Sequence, residues 1–406
     1  MDNAQPLSAP SKNGRSKAKR IGVAEIAMSS GVSVAAVSSL LCSADGKGRV
    51  SAKTRATILK ACRDLGYQPR GNAFSRIYPE LGEHCFFLPS TAQCGFLNPF
   101  YAQLFKGLTE ALPQPHNNIH FCQFQSECDY LASPEMLPSP IRDGIVTKAI
   151  CAGKPNLSLL EALLDKNMAV ICFGHAVPLK GLVSIFVDFH SGAKMAIEYL
   201  IKMGHRKIAI AGGPFADSSY NILQQRGGIQ EALTAHGLSL AGEHIYYVPM
   251  DPEGGVAAVD LMLKNPNRPT ALYCLNDAVA LGVIQRAQMM GLRVPEDLSV
   301  VGFDDIPMAQ TASLTTVRAP VAEMGRLAVE QVDVQFGSPE RKNRPTNIML
   351  PVELIQRGSV AAPAKASATA PASRFPSQAI ADAPNGMPAP SSEILPGPML
   401  AASSGR

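Results

Sequence analysis

The chain has 406 residues, 46% hydrophobic and 17% charged; that is enough apolar matter for two or three packed domains and too much for a globally disordered chain. No uninterrupted apolar run reaches the ~18 residues of a membrane span, and the first twenty residues carry positive charge without the apolar stretch of a signal peptide, so a cytoplasmic protein without a membrane partner is expected. The net charge of +4 divides unevenly: residues 1–76 hold thirteen Lys and Arg against four Asp and Glu, and the remaining residues hold twenty-four against twenty-nine. A basic head on an acidic body points to a polyanion partner at the N-terminal end only.

Residues 1–20 mix Ser, Pro, Asn and Gly with Lys12, Arg15, Lys17, Lys19 and Arg20, and read as a disordered basic arm. In residues 21–70 apolar side chains recur at helical spacing: Val23, Ile26 and Ala27, then Val37, Leu40 and Leu41, then Ile58, Leu59, Cys62 and Leu65. The first two stripes flank a tight turn at Gly31, with Ser33 placed to cap the second helix and Val32 and Val37 placed to lock the pair. Beside a basic arm, such a helix-turn-helix suits a major groove of DNA. Residues 71–82 read as a hinge or linker.

From about residue 84 short apolar runs alternate with amphipathic stretches. The runs include CFFLP (85–89), GIVTKAI (144–150), MAVICFG (168–174), KIAIAGG (207–213), HIYYVPM (244–250), TALYCLN (270–276) and LSVVGFD (298–304). Helices are predicted over 99–112, 156–167, 190–203, 220–236, 253–264, 276–290 and 322–336. Buried strands separated by crossover helices form parallel, doubly wound α/β sheets, and more than nine strands predict two lobes over residues 83–357. Three prolines in 125–142 predict a local irregularity where a crossover helix belongs. Residues 358–406, with thirteen Ala, eight Pro and eight Ser, read as a disordered tail.

The order of short signatures resembles the lac repressor (LacI/GalR-type) family. They are VAEIA (23–27), SGVSVAAVS (30–38), LGYQP (65–69) before Asn72-Ala73, and NPFY (98–101). MGHRKIAIAGG (203–213), PTALYCLND (269–277), VPEDLSVVGFDDIP (294–307), LTTVRAP (314–320) and VELIQRGS (352–359) continue the series. The resemblance spans roughly residues 21–359. It implies a small all-α helix-turn-helix head and a two-lobed periplasmic-binding-protein-like body. Such a protein is a sequence-specific transcriptional regulator, a repressor, whose partners are double-stranded operator DNA and a small effector, a sugar or sugar acid. It further implies a homodimer, with a tetramer as the larger alternative, and allosteric control.

Carried over residue by residue, the resemblance places Ser33, Val34, Ala35, Ser38 and Ser39 at the groove, Lys47 and Arg49 at phosphates, and Asn72, Ala73 and Arg76 in the hinge. Relatives carry Thr-Val-Ser-Arg where this chain has Ala36-Val37-Ser38-Ser39. The groove face therefore offers methyl contacts and single hydrogen bonds, without a bidentate arginine–guanine pair. At the hinge, three readings stand: Arg76 in a narrow minor groove, Ile77 as a wedge after a one-residue shift, or Arg76 at the surface.

For the effector the resemblance implies Phe100 and Tyr101 as an aromatic wall, and Asn276, Asp277 and Asp304 as polar groups at strand ends. Asp277 has a second reading as a helix cap. Where relatives carry an arginine this chain has Gln225, with Arg226 one helical step of about 100° away. Either Arg226 swings into the cleft or Gln225 serves as a neutral ligand; an Arg226 that simply faces solvent is the plain alternative. The usual acidic position after the MAVICF strand holds Gly174-His175.

An enzyme is the rival class, but no Walker loop, nucleophile elbow, His-Glu-x-x-His or paired-cysteine metal site is present in the sequence. A solute-binding protein is the second rival, opposed by the head. The nine cysteines suit reduced thiols, and no cofactor or metal is expected.

Overall fold

The computed structural model describes residues 21–41, 50–65, 67, 83–90, 98–112, 118–213, 220–337 and 343–364. In the head, helix α1 (Val23–Ser30) begins where the Glu25 carboxylate accepts the Gly22 amide at 2.7 Å, and ends at Gly31. Gly31 has φ 64°, a left-handed conformation that a residue with a Cβ adopts only at a cost. The chain then turns through 119° into α2 (Val34–Leu41), within the range of helix-turn-helix units. Helix α3 (Ala52–Asp64) completes a small core of Ile26, Val37, Leu40, Ile58, Leu59 and Cys62.

The body contains two six-stranded sheets. The first holds β1 (Glu83–Pro89), β2 (Ile119–Phe124), β3 (Val146–Cys151), β4 (Ala169–Phe173), β5 (Leu182–Val187) and β11 (Thr346–Leu350), in the order β11-β5-β4-β3-β1-β2 and all parallel. The second holds β6 (Ile208–Ala211), β7 (Ile245–Tyr246), β8 (Ala271–Cys274), β9 (Ser299–Asp304), β10 (Thr315–Arg318) and β12 (Glu353–Ile355), in the order β12-β10-β9-β8-β6-β7, with only β12 antiparallel. Central strands are buried on both faces. In β3 and β4 every residue is buried, which explains why they read as continuous apolar runs.

Helix α4 (Pro99–Ala111) covers the first sheet. Between β2 and β3 the long crossover helix is missing: residues 134–136 form a 3-10 turn and α5 (Ser139–Arg142) has four residues. Pro134, Pro138 and Pro140 lack the amides that a longer helix needs. Helix α6 (Leu157–Asp165) follows in the first lobe. The second lobe carries α7 (Phe189–Lys202), α8 (Tyr220–Ala235), α9 (Pro252–Lys264), α10 (Asp277–Met289) and α11 (Pro307–Thr311).

Helix α12 (Val321–Gly337) returns to the first lobe and packs on α4. A Cβ at Gly107 would stand 1.8 Å from the Ala322 carbonyl oxygen, so only glycine permits the crossing. The chain thus passes between the lobes three times: at residue 188, at 319–320 and at 351–352.

The C-terminal boundary differs from the expected one. The described backbone continues to Ala364, and Ser359 and Val360 are buried. The Ser359 hydroxyl donates to Val300 O at 2.6 Å and accepts from Thr315 N at 2.8 Å, while Ala361 O lies 2.9 Å from His205 Nε2. Residues 358–364 are therefore a seam on the second sheet, and the Ala/Pro/Ser-rich composition starts before the packing stops.

Candidate functional site

The second helix of the head separates into two faces. Val37, Leu40 and Leu41 are buried, whereas Ser33, Val34, Ala35 and Ser39 are exposed and Ser38 is half-buried. Ser33 accepts the Ala36 amide at 3.2 Å, the bond expected of an N-cap. Spacing of 34, 35, 38 and 39 gathers these side chains on one side of the helix. Val34 is 54% exposed, an apolar group presented to solvent at the helix start. Lys53 and Lys60 of α3 are also exposed. Lys47, Arg49, Asn72, Ala73, Arg76 and Ile77 lie outside the described residues.

The second candidate site is a cleft of about 540 Å³ between the lobes. It sits at the carboxyl ends of the parallel strands, where open α/β sheets leave room for ligands. The first lobe contributes Asn98 to Tyr101 at the start of α4, Gly153 to Pro155 after β3, and Phe173 to His175 at the end of β4. The second contributes Tyr220, Asn221 and Gln225 from α8, Leu275 and Asn276 after β8, Asp304 at the end of β9 and Ile306 just after it.

Asn98 accepts the Phe100 amide at 3.0 Å and so starts α4 with Phe100 and Tyr101 facing the cleft. Their rings meet edge-on, 5.6 Å between centroids. Across from them, Phe189 stacks on Phe303 at 5.6 Å, and Tyr220 stands 6.1 Å from His175. Burial, and then Lys154, push the His175 imidazolium pKa down, which keeps the ring uncharged near neutrality.

Gln225 is buried, and both ends of its amide are engaged: Oε1 accepts the Tyr273 hydroxyl at 2.5 Å and Nε2 donates to Leu275 O at 3.4 Å. One Nε2 hydrogen remains for the cleft. Asn276 is similarly committed, accepting the Val279 amide at 2.9 Å as cap of α10 and donating to Met250 O at 3.0 Å. Asp304 differs. Among the described residues no hydrogen bond or ion pair reaches its carboxylate. It lies at φ 113°, followed by Asp305 at 58°, strained conformations that surrounding contacts must hold in place. Burial, then the nearby Asp277, push the Asp304 carboxyl well above the ordinary carboxylate range.

Two of the expected effector residues are not in the cleft. Asp277 is fully buried behind it. Its Oδ1 accepts the Thr316 hydroxyl at 2.5 Å and its Oδ2 the Ile306 amide at 2.9 Å. The cap position belongs to Asn276, so Asp277 turns inward and fixes the strained turn after β9. Asp305 holds the same turn from outside, accepting from Arg318 Nε at 2.7 Å and Arg357 Nη2 at 2.6 Å. Arg226 is exposed and does not line the cleft; one residue of helical rotation carries it away from Gln225. Lining residues without a sequence expectation include Asn98, Lys154, Phe189, Tyr220, Asn221 and Met250, and His175 lines the cleft where the resemblance implies an acidic group. Lys154 and His175 follow β3 and β4 directly, so the strand-end rule alone singles them out.

Among the described residues no group of three or more His, Cys, Asp and Glu is placed to hold a metal ion, and no single helix is long and apolar enough to cross a membrane.

Comparison with known proteins places both parts. Residues 23–70 match the family described as bacterial regulatory proteins, lacI family, and residues 197–360 match the periplasmic binding protein-like domain. The chain is 31% identical over 356 residues to the HTH-type transcriptional repressor PurR of Proteus mirabilis, covering 84% of this chain and 96% of that one. It is 28% identical to the probable HTH-type transcriptional repressor ExuR of Bacillus subtilis, over 76% of this chain and 89% of the relative. Among solved structures it is similar to a complex of the transcriptional regulator CelR with cellobiose, at TM-score 0.58 and 26% identity, covering 84% of this chain and all of the other. The fold also matches a LacI family regulator from Enterococcus faecium with bound ribose, at TM-score 0.59 and 23% identity, over 69% of this chain and 99% of that one. The helix-turn-helix head, the two-lobed body and these matches over most of both chains lead to one conclusion: the protein belongs to the lacI family of bacterial regulatory proteins.

Proposed function

We propose that this protein is a cytoplasmic, homodimeric or tetrameric repressor whose grip on operator DNA is set allosterically by a small sugar-like effector held between its lobes. The observation that carries the reading is the presence in one chain of an exposed second helix on a basic head and, in a ligand-sized cleft, a carboxylate, Asp304, that has no hydrogen-bond or ion-pair partner among the described residues. In this reading Ser33, Val34, Ala35, Ser38 and Ser39 meet base edges and Lys47 and Arg49 meet phosphates. Asn72, Ala73 and Arg76 form the hinge contacts. Two heads read the two halves of a pseudo-palindromic site.

Phe100, Tyr101, Gln225, Asn276 and Asp304 form the effector site. Three backbone crossings allow one lobe to rotate on the other, so effector binding that favours one orientation shifts the spacing of the heads. The cellobiose complex of CelR and the ribose-bound regulator of Enterococcus faecium support a sugar as the occupant.

The test is selection of bound DNA from a random pool by the full chain, followed by gel shift. A selected site bound with strongly salt-dependent affinity is expected, because neutralised phosphates release counterions. Removing residues 1–76 should abolish binding; unchanged binding would refute the reading.

A further inference from the structure

We infer that Asp305, through Arg318 and Glu353, is the link that carries occupancy of the cleft to the backbone crossings between the lobes, so that breaking it leaves effector and operator each bound but no longer coupled. The inference rests on the effector reading above and goes further, to the residues that transmit the signal.

Asp304 and Asp305 are chain neighbours with opposite surroundings. Asp304 lines the cleft. The Asp305 side chain is only 9% exposed, and its carboxylate accepts from Arg318 Nε at 2.7 Å and from Arg357 Nη2 at 2.6 Å. Arg318 is the last residue of β10, immediately before the crossing at 319–320. Its Nη1 donates to the Glu353 carboxylate at 2.6 Å, and Glu353 opens β12 immediately after the crossing at 351–352. The strand register repeats this placement, since Arg318 pairs with Asp304 on one side and with Glu353 on the other. Inside the crossing itself the Ala319 amide donates to Asp304 O at 3.4 Å. One two-residue loop therefore borders the ligand space with its first side chain and grips two of the three crossings through its second.

Energetics separate this role from plain stabilisation. The side chains of Arg318 and Glu353 are 46% and 62% exposed, and ion pairs so wet contribute only about 0–1 kcal/mol. Arg357 already anchors Asp305 within the second lobe, because its backbone amide donates to Thr315 Oγ1 at 2.9 Å and its Nη1 to Leu314 O at 2.7 Å. The Arg318 bridge adds little to that hold; it adds a connection from the turn to the strand ends that join the first lobe. Asp304 at φ 113° and Asp305 at φ 58° occupy conformations that cost of order 1–3 kcal/mol each and persist only while contacts hold them. A ligand that engages Asp304 changes the balance of those contacts. The loop then shifts only by carrying the Asp305 carboxylate and, through the Arg318 guanidinium, both strand ends. The planar fork matters here, since Nε and Nη1 reach two carboxylates at once, and the point charge of a lysine does not reproduce that geometry.

The test measures operator affinity of the full chain by fluorescence anisotropy on the DNA site selected as above, alone and with D-ribose, D-glucose, D-galactose or cellobiose. Sugar binding is measured separately by calorimetry. In the wild type at least one sugar should change the operator Kd by about tenfold or more. Arg318→Gln should bind that sugar and the sugar-free operator within about threefold of wild type, yet the change produced by the sugar should fall to about twofold or less. Glu353→Ala cuts the far end of the same bridge and should behave alike, with the double variant no worse than either single one. Arg318→Lys keeps the charge and should not restore the response. Arg293→Gln breaks an exposed pair with Asp297 just before β9, at the other end of that strand, and should respond as the wild type does. A full response in Arg318→Gln, or a lost response in Arg293→Gln, overturns the inference and leaves the effector reading standing. So does loss of sugar binding in Arg318→Gln, which would make the bridge part of the site and not the link. If no sugar changes the operator affinity of the wild type, the inference falls together with the effector reading.

Discussion

Thr316 on β10 donates its hydroxyl to the Asp277 carboxylate of α10 at 2.5 Å, and both residues are fully buried. This bond joins the interior of one strand to the start of a helix beneath the cleft floor. With the Ile306 amide on the other oxygen at 2.9 Å, it holds the turn that carries Asp304 at its strained φ. Asp277 thus shapes the cleft floor from behind and does not line the cleft.

Replacing Asp277 by Ala should leave a buried hydroxyl and a buried amide without their acceptor. The expected loss is about 2–4 kcal/mol of stability, read as a lower urea midpoint. A variant with unchanged midpoint would show that the turn has other support.

The same carboxyl predicts a pH dependence. Burial is the main cause that pushes Asp277 up to about 7, against the hydrogen bonds from Thr316 and Ile306. The folded state therefore binds this proton more tightly than the unfolded chain, whose aspartates titrate near 4. The contribution is fully present below about pH 4 and is lost as pH rises toward 7. Asp277→Asn should remove that part of the slope, so stability of the variant and the wild type should diverge between pH 4 and 7 in guanidinium titrations. Parallel curves would contradict the assignment.

Gly107→Ala tests the contact between α4 and α12. A methyl group 1.8 Å from the Ala322 carbonyl oxygen meets backbone and not a yielding side chain. The helices must separate, at a cost of about 1–3 kcal/mol, visible as a lower melting temperature. An unchanged melting temperature would show that the two helices can slide apart freely.

Ser33→Ala should weaken the head. It removes the acceptor for the Ala36 amide and costs about 1 kcal/mol of helix stability. Operator affinity in a gel shift should fall while sugar binding measured by calorimetry stays unchanged, because the cleft draws no residue from the head. Loss of both would place the effect elsewhere.

Much of this architecture was legible in the residues. Strands buried on both faces leave continuous apolar runs, so β3, β4, β8 and β9 were readable directly. The run at 244–250 yields only Ile245–Tyr246, because Tyr247 faces solvent and Pro249 has no amide to pair. The site was legible in part. Phe100, Tyr101, Gln225, Asn276 and Asp304 reach the cleft, while Asp277 and Arg226 do not, since a one-residue step along a helix decides which way each side chain turns. Met250 and Phe189 come from elements far apart in sequence, and nothing local in the chain marks them. The buried seam at Ser359 was hidden for another reason: its hydroxyl pairs with Val300 and Thr315, and composition does not record partners.

The three crossings at 188, 319–320 and 351–352 also govern how this protein can be divided. A fragment ending before residue 319 lacks α12 and β11, which complete the first lobe, together with the edge strand β12 and the seam of the second. No single cut releases one intact lobe. Lobes exchanged between relatives must travel as a pair, and a split version of the protein would regain its cleft only when both fragments meet again.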